Sequence, residues 1–212
     1  MKSFFISAAT ILCSLAAAQV DLNITIDGKP SGKATYKWSN MANGGVSGML
    51  KMDFELRGMA MSGKVAFTFD KSGRPMAFST SMRGPGVDET YRLAYGPSHV
   101  MVTAIAGGKT ESKKVPIPRG KRIASLANLW FLKSKPSPGA ADQFWSYTLE
   151  TGKWELTTIR YVGPKKLRVE GKMVTAYELD ESLGTFWLDA SGMPYKIRFK
   201  VGGMPFVFER SG

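Results

Sequence analysis

Cysteine and histidine are nearly missing from this chain: Cys13 and His99 are the only ones in 212 residues. Cys13 lies inside an apolar N-terminal leader, so the rest of the chain has no disulfide, no thiolate nucleophile and no cysteine-based zinc or iron–sulfur site. With a single imidazole, a histidine-dependent hydrolase has one candidate base. His99 sits at the start of an apolar run, the usual place of a polar edge residue. Neither G-x-S-x-G, H-E-x-x-H nor a phosphate-cradling loop is present. Beyond residue 18 there is no apolar run near the roughly 20 residues that a membrane-spanning helix needs. No cofactor, catalytic activity, transmembrane helix or nucleic-acid partner is expected.

What is present begins with the leader. Lys2 supplies a positive start, Phe4 to Leu15 an apolar core, and Ala16-Ala17-Ala18 an A-x-A cleavage site before Gln19, the plan of a secretory signal peptide. Leu12 occupies the place before Cys13 where a lipidation site wants a small residue. The expected organisation is a signal peptide over 1–18 and one domain over 19–212, periplasmic or secreted after cleavage. A domain of that size buries a sizeable core.

The chain is basic, with 29 Lys and Arg against 17 Asp and Glu. The excess is concentrated. Lys109, Lys113, Lys114, Arg119, Lys121, Arg122, Lys133 and Lys135 fall in one stretch with Glu111 as its only acid. A focus of this kind attracts anions, and for an exported protein the nearby ones belong to an anionic envelope surface.

Apolar residues recur at every second position, the period of a pleated strand. Val20, Leu22, Ile24 and Ile26 alternate with polar residues. Leu50, Met52, Phe54 and Leu56 alternate with Lys51, Asp53, Glu55 and Arg57, and this strand is expected to bury its apolar set. Val65, Phe67 and Phe69 follow, then Met76, Phe78 and Thr80, with further strands expected at 91–95, 99–105, 145–149, 154–161, 167–169, 174–179, 185–188, 195–201 and 206–208. Between them stand turn sequences such as Asp27-Gly28, Asp70-Lys71-Ser72-Gly73, Gly107-Gly108 and Asp189-Ala190-Ser191-Gly192, so hairpins joined in a meander are expected. Long crossovers are missing, which argues against a parallel sheet. No domain boundary stands out, the stretch from Gly107 to Gly120 being the best linker candidate before a helix that looks more like a lid than a hinge, and no internal repeat is seen.

One segment breaks the pattern. Over Arg122 to Leu132, Ile123, Leu126, Ala127 and Trp130 fall at helical spacing, with Pro116 and Pro118 before and Pro136 and Pro138 after. The expected fold is therefore all-β and mainly antiparallel, a curved sheet forming a half-barrel or open barrel with one helix covering its concave face.

A curved sheet closed by a helix can leave an apolar cavity for an acyl chain. On that reading Phe54, Phe67, Phe69, Trp130, Phe131 and Trp187 line the cavity, and Arg119, Lys121 and Arg122 meet an anionic headgroup at its rim. The function expected is a non-catalytic carrier or binding protein for a lipid-like, amphiphilic envelope ligand. Two alternatives are an envelope scaffold with a basic surface, and a Cu(I) protein in which His99 and Met101, two apart on a strand, share a metal.

From Arg122 onward the chain also resembles a family of exported bacterial β domains of unknown function. The matching stretches are Leu126-Ala127-Asn128-Leu129-Trp130-Phe131-Leu132, Pro136-Ser137-Pro138-Gly139, Phe144-Trp145, Tyr161-Val162-Gly163, Val174-Thr175-Ala176-Tyr177 and the closing hairpin around Thr185-Phe186-Trp187-Leu188-Asp189 and Gly192-Met193-Pro194-Tyr195. Its plan is similar to the half-barrel of the lipoprotein-localisation factors, which bind acyl chains under a helical lid. The resemblance implies that fold and an apolar ligand, and it brings no catalytic residues.

Overall fold

The structure, a computed structural model, describes residues 18–123, 127–149, 151–182, 184–201 and 203–211. The leader therefore lies outside the described residues, apart from Ala18. Eight strands precede the helix: β1 (Ala18–Ile26), β2 (Lys29–Asn40), β3 (Val46–Leu56), β4 (Met59–Phe69), β5 (Pro75–Gly84), β6 (Val87–Tyr95), β7 (His99–Ala106) and β8 (Lys109–Pro116). Helix α1 (Ala127–Ser134) follows. Six more strands complete the chain: β9 (Ala141–Thr148), β10 (Lys153–Val169), β11 (Lys172–Glu181), β12 (Gly184–Leu188), β13 (Pro194–Val201) and β14 (Met204–Arg210).

All fourteen strands belong to one antiparallel sheet in the order β8 to β1, then β14 down to β9. The chain meanders, so every neighbour is a hairpin partner except where β1 meets β14. Tight hairpins fit the right-handed twist when both central residues have positive φ. Asp27-Gly28, with φ of 49° and 77°, and Gly107-Gly108, with 55° and 75°, supply it.

Alternation decides which side chains go inward. Leu22, Ile24 and Ile26 are buried on β1, and Phe67 and Phe69 on β4. On β3, Phe54 is buried with Leu50, Met52 and Leu56 half-buried, and Lys51, Asp53 and Glu55 are exposed. Their register carries the apolar face across the sheet, from Phe67 to Phe78, Leu93 and Val102 on one side. From Ile24 it continues to Phe208, Ile197, Phe186 and Leu179 on the other. Aromatic rings fill the middle. Phe206 meets Phe54 edge-on at 6.2 Å and stacks on Phe199 at 5.5 Å, and Trp38 leans on Phe67 at 5.9 Å. Gly48 makes room for Phe67, because a Cβ there would overlap the phenyl ring.

The two edges of the sheet are β8 and β9, and they overlap rather than pair. On β9 and β10, Phe144, Ile159 and Tyr161 face inward and pack with Leu179 and Leu188. Tyr147 and Trp154 project from the opposite side of that hairpin, and they pack against the inward residues Leu93, Val100 and Val102 of β6 and β7. The sheet is thus rolled like a scroll, with one edge tucked under the other. Trp154 Nε1 pins the overlap by donating to Pro116 O at 2.9 Å, and Lys113 lies over the Tyr147 ring.

Several expectations need correction. The stretch from Gly107 to Gly120 is not a linker, since it contains β8, whose residues are exposed apart from half-buried Val115. A lysine-rich edge with little to bury carries no apolar alternation, and so its strand was illegible. Lysines on an edge also discourage pairing with another chain. The expected strands at 154–161 and 167–169 are one, β10, bent by an irregularity in its pairing between Tyr161 and Gly163. The helix does not include Arg122 or Ile123, and it runs past Leu132 to Ser134. Ile123 instead forms a parallel bridge with Trp145, while Leu126 lies outside the described residues. Met76 is exposed rather than inward, because the β4–β5 pairing shifts register next to it.

Short sequence repetition is also present. Phe69-Asp70-x-Ser72-Gly73-x-Pro75 and Leu188-Asp189-x-Ser191-Gly192-x-Pro194 make the same turn. In each, the Asp Oδ1 accepts from the Ser amide and hydroxyl and from the amide two residues further on. Each is also preceded by a shift in strand register. Both turns abut helix α1: Gly73 faces Lys133 and Leu129, and Gly192 faces Leu132.

Candidate functional site

The helix end of the barrel holds a cleft of about 810 Å³. Four pieces of chain wall it: the turn at Ser72–Pro75, the turn at Pro97–Ser98, the connector Pro116–Ile123, and the face of α1 bearing Leu129, Trp130 and Lys133. Four prolines, Pro75, Pro97, Pro116 and Pro118, stiffen its walls. Antiparallel topology brings these pieces together, because the β4–β5 and β6–β7 turns and the exit from β8 all lie at the same end of the sheet.

The cleft is basic. Arg74, Arg119, Lys121, Arg122 and Lys133 line it, with Asp142 as the one carboxylate. Several cations are held in place. Arg74 Nη2 donates to Gly96 O at 2.7 Å, and Arg122 Nη2 donates to Gln143 O at 2.8 Å while pairing with Asp142. Lys121 sits over the Trp145 ring at 5.6 Å. Trp145 N in turn donates to Arg122 O, so the connector runs along the free edge of β9 and covers part of it. Arg119 is exposed and has no ion-pair partner among the described residues. Asp142 spends Oδ1 on Arg122 and the Gln143 amide, leaving Oδ2 buried without a partner. Burial pushes the Tyr95 phenol at the cleft wall up to about 12.

Of the residues singled out from the sequence, Arg119, Lys121, Arg122 and Trp130 come together here. Phe54, Phe67 and Phe69 do not. They belong to the aromatic core in the middle of the barrel, where neighbouring rings occupy the space around them. Phe131 lies on α1 and packs on Tyr161 and Tyr177 at 5.4 and 5.1 Å. Trp187 points to the convex side, where its Nε1 donates to Glu178 at 2.9 Å and Arg198 covers its ring. Adjacent Phe186 takes the inward place. Arg74 was not singled out, because only the folded turn brings it to the connector; Lys133 was read as part of the basic stretch but not as a site residue.

His99 and Met101 share the outward side of β7, with Met101 exposed. Among the described residues no group of three or more His, Cys, Asp or Glu is arranged to hold a metal. A second, more open groove of about 650 Å³ crosses β2 to β6, with Lys37 and Arg92 as its only charges. No described helix is long and apolar enough to cross a membrane.

The architecture is similar to that of a solved structure, the β-barrel-like protein of domain of unknown function DUF1849 from Brucella abortus, which superposes with a TM-score of 0.62 over 93% of this chain and 96% of its own, at 9% identity. At that identity the likeness speaks for the fold alone. No protein-family model matches the chain, and no curated protein matches it.

Proposed function

We propose that this protein is an exported, non-catalytic binding or carrier protein whose mouth cleft takes an amphiphile with an anionic head. The observation that carries the reading is the composition of the cleft: five cations against one carboxylate, beside an apolar floor of Leu129, Trp130, Ile117 and Ile123. The head would lie among Arg119, Lys121 and Arg122, with unpaired Arg119 as its first contact, and the chain would lie against Trp130. Phe54, Phe67 and Phe69 would support the barrel rather than touch the ligand. A pocket with apolar walls and a few oriented charges is the ordinary form of a small-molecule site. The resemblance to the lipoprotein-localisation factors, which bind acyl chains under a helical lid, leads to the same reading. The self-filled middle of the barrel favours a second reading, an envelope scaffold that uses its basic surface alone.

Titration with a single-chain alkyl phosphate kept below its micelle concentration tests the site, with tryptophan fluorescence as the readout. Binding should shift the emission and weaken as salt rises. Replacing Arg119, Lys121 and Arg122 with Ser should lower affinity for the phosphate amphiphile at least about tenfold, and affinity for a neutral alcohol of equal chain length much less. Equal losses for both ligands, or no binding by the unaltered protein, would set the scaffold reading in front.

A further inference from the structure

The registers of β10 and β11 leave part of that hairpin without a neighbour. β9 pairs with β10 only over Lys153 to Arg160, and β12 pairs with β11 only from Tyr177 to Glu181. Among the described residues, 165–176 therefore pair with each other and with no third strand. They extend past Ala141, where β9 begins, on the same end of the barrel as the cleft. The base of the arm is anchored, since Tyr161 and Tyr177 pack on Phe131 of the helix. Its outer part carries Lys165, Lys166, Arg168 and Lys172, all exposed, with Glu170 as the only acid. Opposite Arg168 in the ladder stands Met173, 57% exposed, a large apolar side chain left in water beside cations.

One side of the arm is covered, with Val169 and Ala176 buried, whereas the side bearing Lys166, Arg168 and Met173 is exposed, and leaving Met173 in water is a cost. We propose that the β10–β11 arm docks the protein on an anionic lipid bilayer, with Lys165, Lys166, Arg168 and Lys172 meeting headgroups and Met173 entering the interface. The choice of partner rests on charge complementarity and on this placement. Four cations and one apolar side chain at the end of a projecting arm match a surface that is anionic outside and apolar just beneath. Docking by the arm would turn the mouth cleft toward the membrane, where an amphiphile enters or leaves, and this orientation rests on the cleft reading above. The arm's attachment to the bilayer does not depend on that reading.

Co-sedimentation with vesicles of phosphatidylglycerol and phosphatidylcholine, against phosphatidylcholine alone, tests the arm. The unaltered protein should pellet with the anionic vesicles, stay soluble with the neutral ones, and be released by 0.5 M salt, where screening is strong. Replacing Lys165, Lys166, Arg168 and Lys172 with Ser should weaken vesicle binding at least about tenfold. The Arg119, Lys121 and Arg122 to Ser variant should lose less vesicle affinity than the arm variant, and an equal or larger loss would overturn the arm as the docking element. To cover the case in which the arm variant fails to fold, an environment-sensitive dye is placed by Met173→Cys in a Cys13→Ser background, and its emission should move to the blue on anionic vesicles. The proposal is overturned by equal pelleting with both vesicle types, by an arm variant that folds and binds like the parent, or by a dye that reports water throughout. Soluble alkyl phosphate binding reads the cleft separately, so failure of the arm and failure of the cleft are told apart.

Discussion

The two turns that flank helix α1 are built from the same residues and do different work. At Asp70 the carboxylate holds its own turn through Oδ1 and has no ion-pair partner among the described residues. The Ser72 hydroxyl, followed by the Arg74 amide, holds its carboxyl below the usual carboxylate range. At Asp189 the same Oδ1 bonds recur, but Oδ2 also takes Arg210 Nη2 at 2.8 Å in a half-buried pair. The Arg210 guanidinium in turn lies over Tyr195 at 4.3 Å. A local motif specifies its own backbone wherever it stands. Its worth to the fold depends on what the rest of the chain brings to it.

Removing the carboxylate should widen that difference most. Asp189→Ala takes away three turn hydrogen bonds and leaves the Arg210 charge half-buried without its partner, at a cost of about 2 to 4 kcal/mol, whereas Asp70→Ala should cost about 1 kcal/mol. Denaturant midpoints of the two variants measure it, and equal costs would mean that the Arg210 pair contributes nothing.

The glycines sharpen the comparison further. Both have positive φ, 80° at Gly192 and 85° at Gly73, so Ala is strained at either. At Gly192 the new methyl would also meet Leu132 Cδ1 at 2.7 Å, while at Gly73 the nearest atom is the movable Lys133 Nζ at 3.0 Å. Gly192→Ala should cost about 2 kcal/mol and Gly73→Ala about 1 kcal/mol. Thermal unfolding of the pair decides whether the helix is seated as firmly on both turns.

Inward carboxylates divide the two wings of the sheet in the same way. Glu89 and Glu111, on the wing that holds Asp70, are exposed. Glu181, on the other wing, is half-buried, and burial pushes its carboxyl up to about 7. Between the ordinary value of 4.5 and about 7, the folded state holds a proton that the unfolded chain has lost. Stability should therefore fall as pH rises through that window and level off above it. Glu181→Gln should remove this slope and raise stability at pH 8 by about 1 to 2 kcal/mol, allowing for its partial exposure. Stability curves at pH 5 and pH 8 check the sign.

The legible part of this protein was the part with a period. Alternating residues such as Leu22, Ile24 and Ile26, or Met52 and Phe54, announced both strand and buried face, because a pleat sends every second side chain to the same side. β8 and the free end of β10 and β11 were harder to read, since exposed basic residues dominate both. Of the cleft, Arg119, Lys121, Arg122 and Trp130 were readable as a basic stretch running into a helix. Arg74 and Asp142 were not, because each lies far along the chain from the connector it meets.

Composition and alternation by themselves determined an antiparallel β fold without disulfides, with one helix and a basic focus around it. Those properties depend on neighbours in sequence, within reach of a hairpin or a helical turn. Only the tertiary structure decided that the edges overlap as a scroll, that Phe54, Phe67 and Phe69 are spent on the core, and that Trp187 faces outward. It also decided that two like turns clasp the helix and that one hairpin runs past its neighbouring strands. Each of these depends on how far a fourteen-stranded sheet curls before its own side chains meet, a sum of small twists over the whole chain that no single stretch of residues encodes.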